Sequence, residues 1–200
     1  MSLSIIESTG GDFKPTVKFN CREGKWSFRH DGVDVDIDPP TALFDFANVQ
    51  TGWIWFEAGQ KPQRTMDPDI TTRAVRDYPD QKRGLVMHLY STKFPAPGVA
   101  EFSSNAITLN NAINALHDRY VEGLANNPGK LPVVKAGGVQ QVGKHQNFAP
   151  TLEIIDWVDR PADFADELPL PDEIGQADGI LTNGAAHVPP PAAAAAGAEF

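Results

Sequence analysis

Only one stretch of this chain carries the period of an amphipathic helix, and that scarcity constrains the fold more than any other feature. From Ile107 onward, Ala112, Ile113, Leu116, Tyr120 and Leu124 recur at helical spacing until Asn126-Asn127-Pro128-Gly129 stops the run; Ser104 or Asn105 precedes it as a candidate cap. Elsewhere, short alternating or β-branched and aromatic runs are punctuated by Gly, Pro and Asp. They predict strands at Thr16–Asn20, Lys25–Arg29, Val33–Ile37, Gly52–Glu57, Gly84–Tyr90, Val99–Ser103, Leu131–Ala136 and Thr151–Val158. No repeat of roughly 20–50 residues marks a solenoid or propeller. The expected fold is mainly β. A helix placed late among strands suits a partly open Greek-key barrel of the OB type over residues 1–165, while an SH3-like barrel and an immunoglobulin-like sandwich share the same pattern.

Composition adds a boundary. Of 200 residues, 41% are hydrophobic, enough for one core. The net charge of −9 is unevenly placed: all 17 Lys and Arg lie within residues 1–160 beside 19 of the 26 acids, whereas residues 161–200 hold seven acids and no base. Residues 166–200 are rich in Pro, Ala and acid and carry no apolar period, so they are expected to form a disordered acidic tail that ends in Glu199-Phe200, a candidate handle for a protein partner. The segment MSLSIIESTGG has neither the basic nor the apolar region of a leader, and no window approaches the roughly 18 apolar residues of a membrane span. With Cys21 as the single cysteine, the expectation is a cytoplasmic protein that uses no membrane, metal or other cofactor.

Catalytic patterns are scarce. His30, His88, His117, His145 and His187 stand in no metal-ligating spacing, and no P-loop, G-x-G-x-x-G or G-x-S-x-G occurs. Asp34, Asp36 and Asp38 alternate along one strand face and offer oxygens to a divalent ion, but a solvated acidic face explains them more simply. The chain reads as a binding protein rather than an enzyme.

The aromatic and basic residues point further. Alternation sets Trp53 and Trp55 on one strand face, with Ile54 and Phe56 on the other. Residues 61–93 then hold Lys61, Arg64, Arg73, Arg76, Lys82, Arg83 and Lys93 against four acids, with Tyr78, Tyr90 and Phe94 close by. Cations for phosphates and flat rings for bases are the chemistry of a single-strand groove. The competing reading is a charged loop over core tryptophans. A second polar patch, Gly143–Pro150, adds Lys144 and Phe148, and its bland alternative is a hairpin connection with Gly137-Gly138 as a bulge or turn. The candidate nucleic-acid residues are Trp53, Trp55, Lys61, Arg64, Arg76, Lys82, Arg83, Tyr90, Lys93, Phe94, Lys144 and Phe148.

Lys82-Arg83-Gly84, the Ser103–Leu116 segment, Leu131-Pro132-Val133-Val134, and Asn147-Phe148-Ala149-Pro150 through Asp156–Pro161 together resemble parts of phage single-stranded DNA-binding proteins. The resemblance implies an OB barrel that binds single-stranded DNA without strong sequence preference in replication or recombination. It also implies an acidic tail that competes for the groove and recruits replication proteins. The tail here departs from the denser acidic runs of that family, because alanines precede Glu199. Two other classes compete: a virion structural or assembly module that binds no nucleic acid, and a metal-dependent nuclease using Asp34, Asp36 and Asp38.

Overall fold

The computed structural model describes residues 14–57, 60–69, 71–143 and 147–165. The chain divides into two units, 1–168 and 169–200, and all described residues belong to the first. Their ten strands are β1 (Thr16–Asn20), β2 (Lys25–His30), β3 (Val33–Ile37), β4 (Thr41–Phe44), β5 (Gln50–Trp55), β6 (Gln63–Met66), β7 (Lys82–Ser91), β8 (Gly98–Ser104), β9 (Leu131–Val142) and β10 (Asn147–Val158). Helix α1 (Ile107–Leu124) sits between β8 and β9, and a short helix α2 (Ala162–Ala165) follows β10. The protein is a mainly β, curled, mixed half-barrel with one principal helix.

Sheet order is β10-β9-β4-β7-β8-β1-β2-β3, with β5 and β6 branching from β7. Every pairing is antiparallel except β1 on β8, where Thr16 lies beside Glu101. Strands β4 and β5 run in line along one edge of β7. Six residues separate Phe44 from Gln50, but their partners Leu89 and Val86 are only three apart, so three residues are extra. They are Phe46–Asn48, a single 3-10 turn that lets β4 turn to β9 and β5 to β6. Between β2 and β3 the Asp31-Gly32 pair takes φ of 50° and 79°, the left-handed pair that a two-residue hairpin needs.

The core fills the concave side: Trp26, Phe28, Phe44, Met87, Leu89, Phe102 and Val134 from the strands meet Leu109, Ile113, Leu116 and Tyr120 of α1. This corrects the phase expected for the helix. Leu109 is buried, and Ile107 stands 76% exposed because the helix axis turns the Leu109-Ile113-Leu116-Tyr120 stripe inward. The expected cap also moves. The N-cap is Ala106, Ser104 Oγ accepts the Ala106 N–H (3.1 Å), and Asn105 Nδ2 instead donates to the Ile54 carbonyl (3.1 Å), tying the helix entrance to β5.

A smaller apolar cluster forms around Leu43, Leu131 and Phe164, with Tyr90, Val99, Val133 and Val158 packed against it. Arg160 anchors this return of the chain through a bidentate ion pair with the buried Asp45 (Nη1 to Oδ2 2.9 Å), and its guanidinium lies 5.0 Å from the Phe164 ring centroid. Among the described residues no helix is long and apolar enough to cross a membrane.

Candidate nucleic-acid interface

Strand β5 lies between β6 and β7, which puts Trp53 opposite Thr65 and Arg83. Chain order then sends residues 67–81 out as a long connection from β6 to β7. Connections of this length without regular structure are uncommon and usually functional or disordered; this one is pinned at both ends. At its start, the Asp67 side chain is 3% exposed and accepts four hydrogen bonds: Arg83 Nη1 (2.8 Å) and Nη2 (2.5 Å), the Thr51 hydroxyl (2.5 Å) and the Ala74 N–H (2.9 Å). The Arg83 guanidinium, with the other donors, holds the Asp67 carboxyl well below the usual carboxylate range against the opposing effect of burial, and Asp67 in turn raises Arg83.

At its end, the buried Gln81 clips the returning chain. Its Oε1 accepts the N–H groups of Asp77 (3.1 Å) and Tyr78 (3.2 Å), while Nε2 donates to the Thr65 hydroxyl (3.0 Å). Between the clips, Asp69 accepts from the Thr71 hydroxyl and the N–H groups of Thr71 and Thr72, and these bonds hold its carboxyl at about 2. The Trp53 indole N–H donates to the Ala74 carbonyl (2.9 Å), and its ring centroid lies 5.5 Å from the Arg76 guanidinium carbon and 5.2 Å from that of Arg83. Arg73, Val75, Arg76 and Tyr78 are exposed on this anchored loop.

Trp53, Arg76 and Arg83 thus come together, with Asp67 as the fourth member. Trp55 is half-buried one step along β5 on the same strand face as Trp53, and the intervening Ile54 is fully buried. Its side chain lies over Gly84, where an added Cβ would stand 2.8 Å from Ile54 Cδ1 and 2.3 Å from the Ser104 carbonyl oxygen. Arg64 is committed elsewhere: from β6 it reaches Glu101 on β8 as a bidentate ion pair (Nη1 to Oε2 3.0 Å), with Ser103 beside it. Lys61 and Lys82 are exposed.

The remaining candidates lie apart from this cluster. Arg83 stands near the start of β7, and the exposed Lys93 lies in the turn just past its other end at Ser91. Tyr90 is half-buried against Phe164, with ring centroids 6.0 Å apart. Phe94 lies in the core with its ring 5.3 Å from Phe28, which removes it from any groove: its partner comes from β2, 66 residues away in sequence. Phe148 packs by Gly24 and Val139, and its N–H donates to the Cys21 carbonyl (2.7 Å), joining the β9–β10 hairpin to the β1–β2 turn. Lys144, Glu199 and Phe200 fall outside the described residues.

The Asp34-Asp36 row belongs to an exposed ion-pair face. Lys18 (3.2 Å) and Arg29 (3.8 Å) meet Asp34, and Lys25 meets Asp36 (3.5 Å). Sequence reasoning missed Asp67 and Gln81 as keystones, and no local signal marks them, since Asp67 lies sixteen residues from both Thr51 and Arg83. Val75 did carry a signal, a branched apolar residue in the Arg73-Ala74-Val75-Arg76 stretch. The fold and site together define a β half-barrel that presents an anchored aromatic and cationic loop. Comparison with known proteins finds no matching family model, no matching curated protein and no matching solved structure.

Proposed function

We propose that this protein binds single-stranded DNA without strong sequence preference, in replication or recombination, through an OB-type arrangement. The observation that carries the reading is the loop 67–81, fixed over Trp53 with Arg73, Arg76 and Tyr78 turned to solvent. Cations beside flat rings on a preformed surface suit a sugar-phosphate strand whose bases are unstacked. Strand order supports it: β4 with β5, then β7, β8, α1, β9 and β10 follow the strand-helix sequence of an OB barrel. In that correspondence the connection between the first and second strands runs from β5 to β7 and carries β6, and the one between the fourth and fifth runs from β9 to β10. These are the two loops with which OB modules hold oligonucleotides. The parallel β1 on the free edge of β8 is this chain's addition.

Within the site, Arg83 is neutralised by Asp67 and acts as a positioning residue for Trp53, while Arg73, Arg76 and Lys82 supply charge to phosphates. The acid-rich residues 166–200, with Glu199 and Phe200, are the proposed contact for replication proteins. A titration with poly-dT, followed by tryptophan fluorescence at low and high salt, tests the reading. Binding is expected with an affinity that falls steeply as salt rises. Absence of binding at low salt, with self-assembly instead, would turn the protein into a virion assembly module.

A further inference from the structure

Val75 is 85% exposed, more than any other large hydrophobic side chain among the described residues, yet it is not on a loosely held tip. Both polar groups of the preceding residue are clamped: the Ala74 N–H donates to Asp67 Oδ1 (2.9 Å) and the Ala74 carbonyl accepts the Trp53 indole N–H (2.9 Å). Asp67 is itself held by Arg83 and Thr51, so the position of Val75 is set by β5, β6 and β7 rather than by its own loop. Arg73 lies two residues before it and Arg76 directly after, the latter set beside the Trp53 ring. An aliphatic side chain is thus held out 85% exposed, with a cation on either side of it in sequence.

Resting on the reading above, we infer that Val75 is a wedge that inserts between adjacent bases of a single strand, with Arg73 and Arg76 on the flanking phosphates. The ligand is a nucleic-acid strand whose base step can open. Aliphatic side chains flanked by cations unstack base steps in this way, exchanging base stacking for apolar contact and phosphate pairing. The clamp gives the wedge its use, because a side chain already fixed in place loses little freedom on insertion. Asp67 and Trp53 are then positioning residues for the wedge.

The test uses the full chain and an oligo-dT strand carrying two adjacent 2-aminopurines, whose fluorescence rises when they unstack. The expected result is salt-sensitive binding with a fluorescence rise for the wild type. For Val75→Ser, affinity should fall roughly five- to tenfold and the rise should disappear. Val75→Met, which restores an aliphatic probe, should recover both. Arg73→Gln should lower the salt slope by about 0.7 on this strand while keeping the rise. The exposure of Val75 makes its variants neutral in thermal unfolding, which separates a binding loss from a folding loss. Wild-type binding with an unchanged affinity and rise in Val75→Ser overturns the wedge and leaves the DNA-binding reading in place. Failure of the wild type to bind at low salt overturns both.

Discussion

At the scale of single residues, Asp67 converts a sequence-distant set of groups into one loop conformation. Its folded pKa is depressed, so the sign of its linkage is fixed. Its stabilisation is present in full above the unfolded value of about 3.9 and is lost as the pH falls towards the folded value well below it. Acid titration below about pH 4 is therefore expected to release the loop, read as a change in Trp53 emission. In Asp67→Asn that acid-dependent stability should shrink, with about 2–3 kcal/mol of stability lost at neutral pH; Arg83 is about one-third exposed, which keeps the cost at or below the low end for a broken buried pair. An acid branch identical in the two proteins would remove Asp67 from this role. Gly123 makes a second residue-scale case. Gly to Ala within a helix normally adds about 1 kcal/mol, but an added Cβ here would stand 2.4 Å from Trp157 Cζ2, in the indole that stacks on Tyr120. Gly123→Ala should therefore destabilise, by about 1–3 kcal/mol in urea unfolding, and a gain in stability would show that the indole moves aside freely.

Among the elements, the return of the chain after β10 does the most for so few residues. Phe164 is 1% exposed and rests on Leu43, Leu131 and Tyr90, while Arg160 holds the buried Asp45 next to the 3-10 turn that separates β4 from β5. Phe164→Ala should cost about 3–5 kcal/mol in chemical unfolding, and a cost below about 1 kcal/mol would make the segment an accessory. The β9–β10 hairpin shows how a ladder survives a glycine pair. From Pro150 to Leu152 is two steps on β10, but Val139 to Ala136 is three on β9, so Gly137-Gly138, expected as a bulge or turn, is a bulge and the strand continues past it to Val142. Thr151 Oγ1 donates to the Gly138 carbonyl (2.9 Å) at that irregularity. Strands β4 and β6 were not foreseen. Thr-Ala-Leu-Phe is too short to show a period, and Gln-Arg-Thr-Met has no apolar face; each is a strand because a neighbour supplies its ladder bonds.

For the molecule as a whole, charge placement makes the next prediction. Residues 166–200 hold six acids and no base, against net-cationic stretches at 14–30 (five bases, one acid) and 61–93 (seven bases, four acids). On the proposed reading these acids are expected to compete with a strand for phosphate-binding cations, and covalent attachment raises their effective concentration. Deleting residues 166–200 should raise oligo-dT affinity, most at low salt, because screening weakens the competitor along with the ligand. Equal affinities of full-length and truncated protein at low salt would reduce that segment to a spacer.

By itself the sequence determined the class of fold and where most strands lie, because period-two alternation and Gly, Pro and Asp punctuation are local: β1 and β3 fall on their expected residues and α1 ends before Asn126. The same alternation set Trp53 and Trp55 opposite the buried Ile54. Only the tertiary structure decided which groups remain available for a ligand. Arg64 is taken by Glu101, 37 residues away, Arg83 by Asp67, sixteen away, and Phe94 by Phe28, whereas Arg76 lies beside Trp53 and Val75 is left uncovered. Periodicity fixes the face of its own element on which a side chain lies; the partner it meets there is delivered by strand order, which the spacing of residues along one element does not encode.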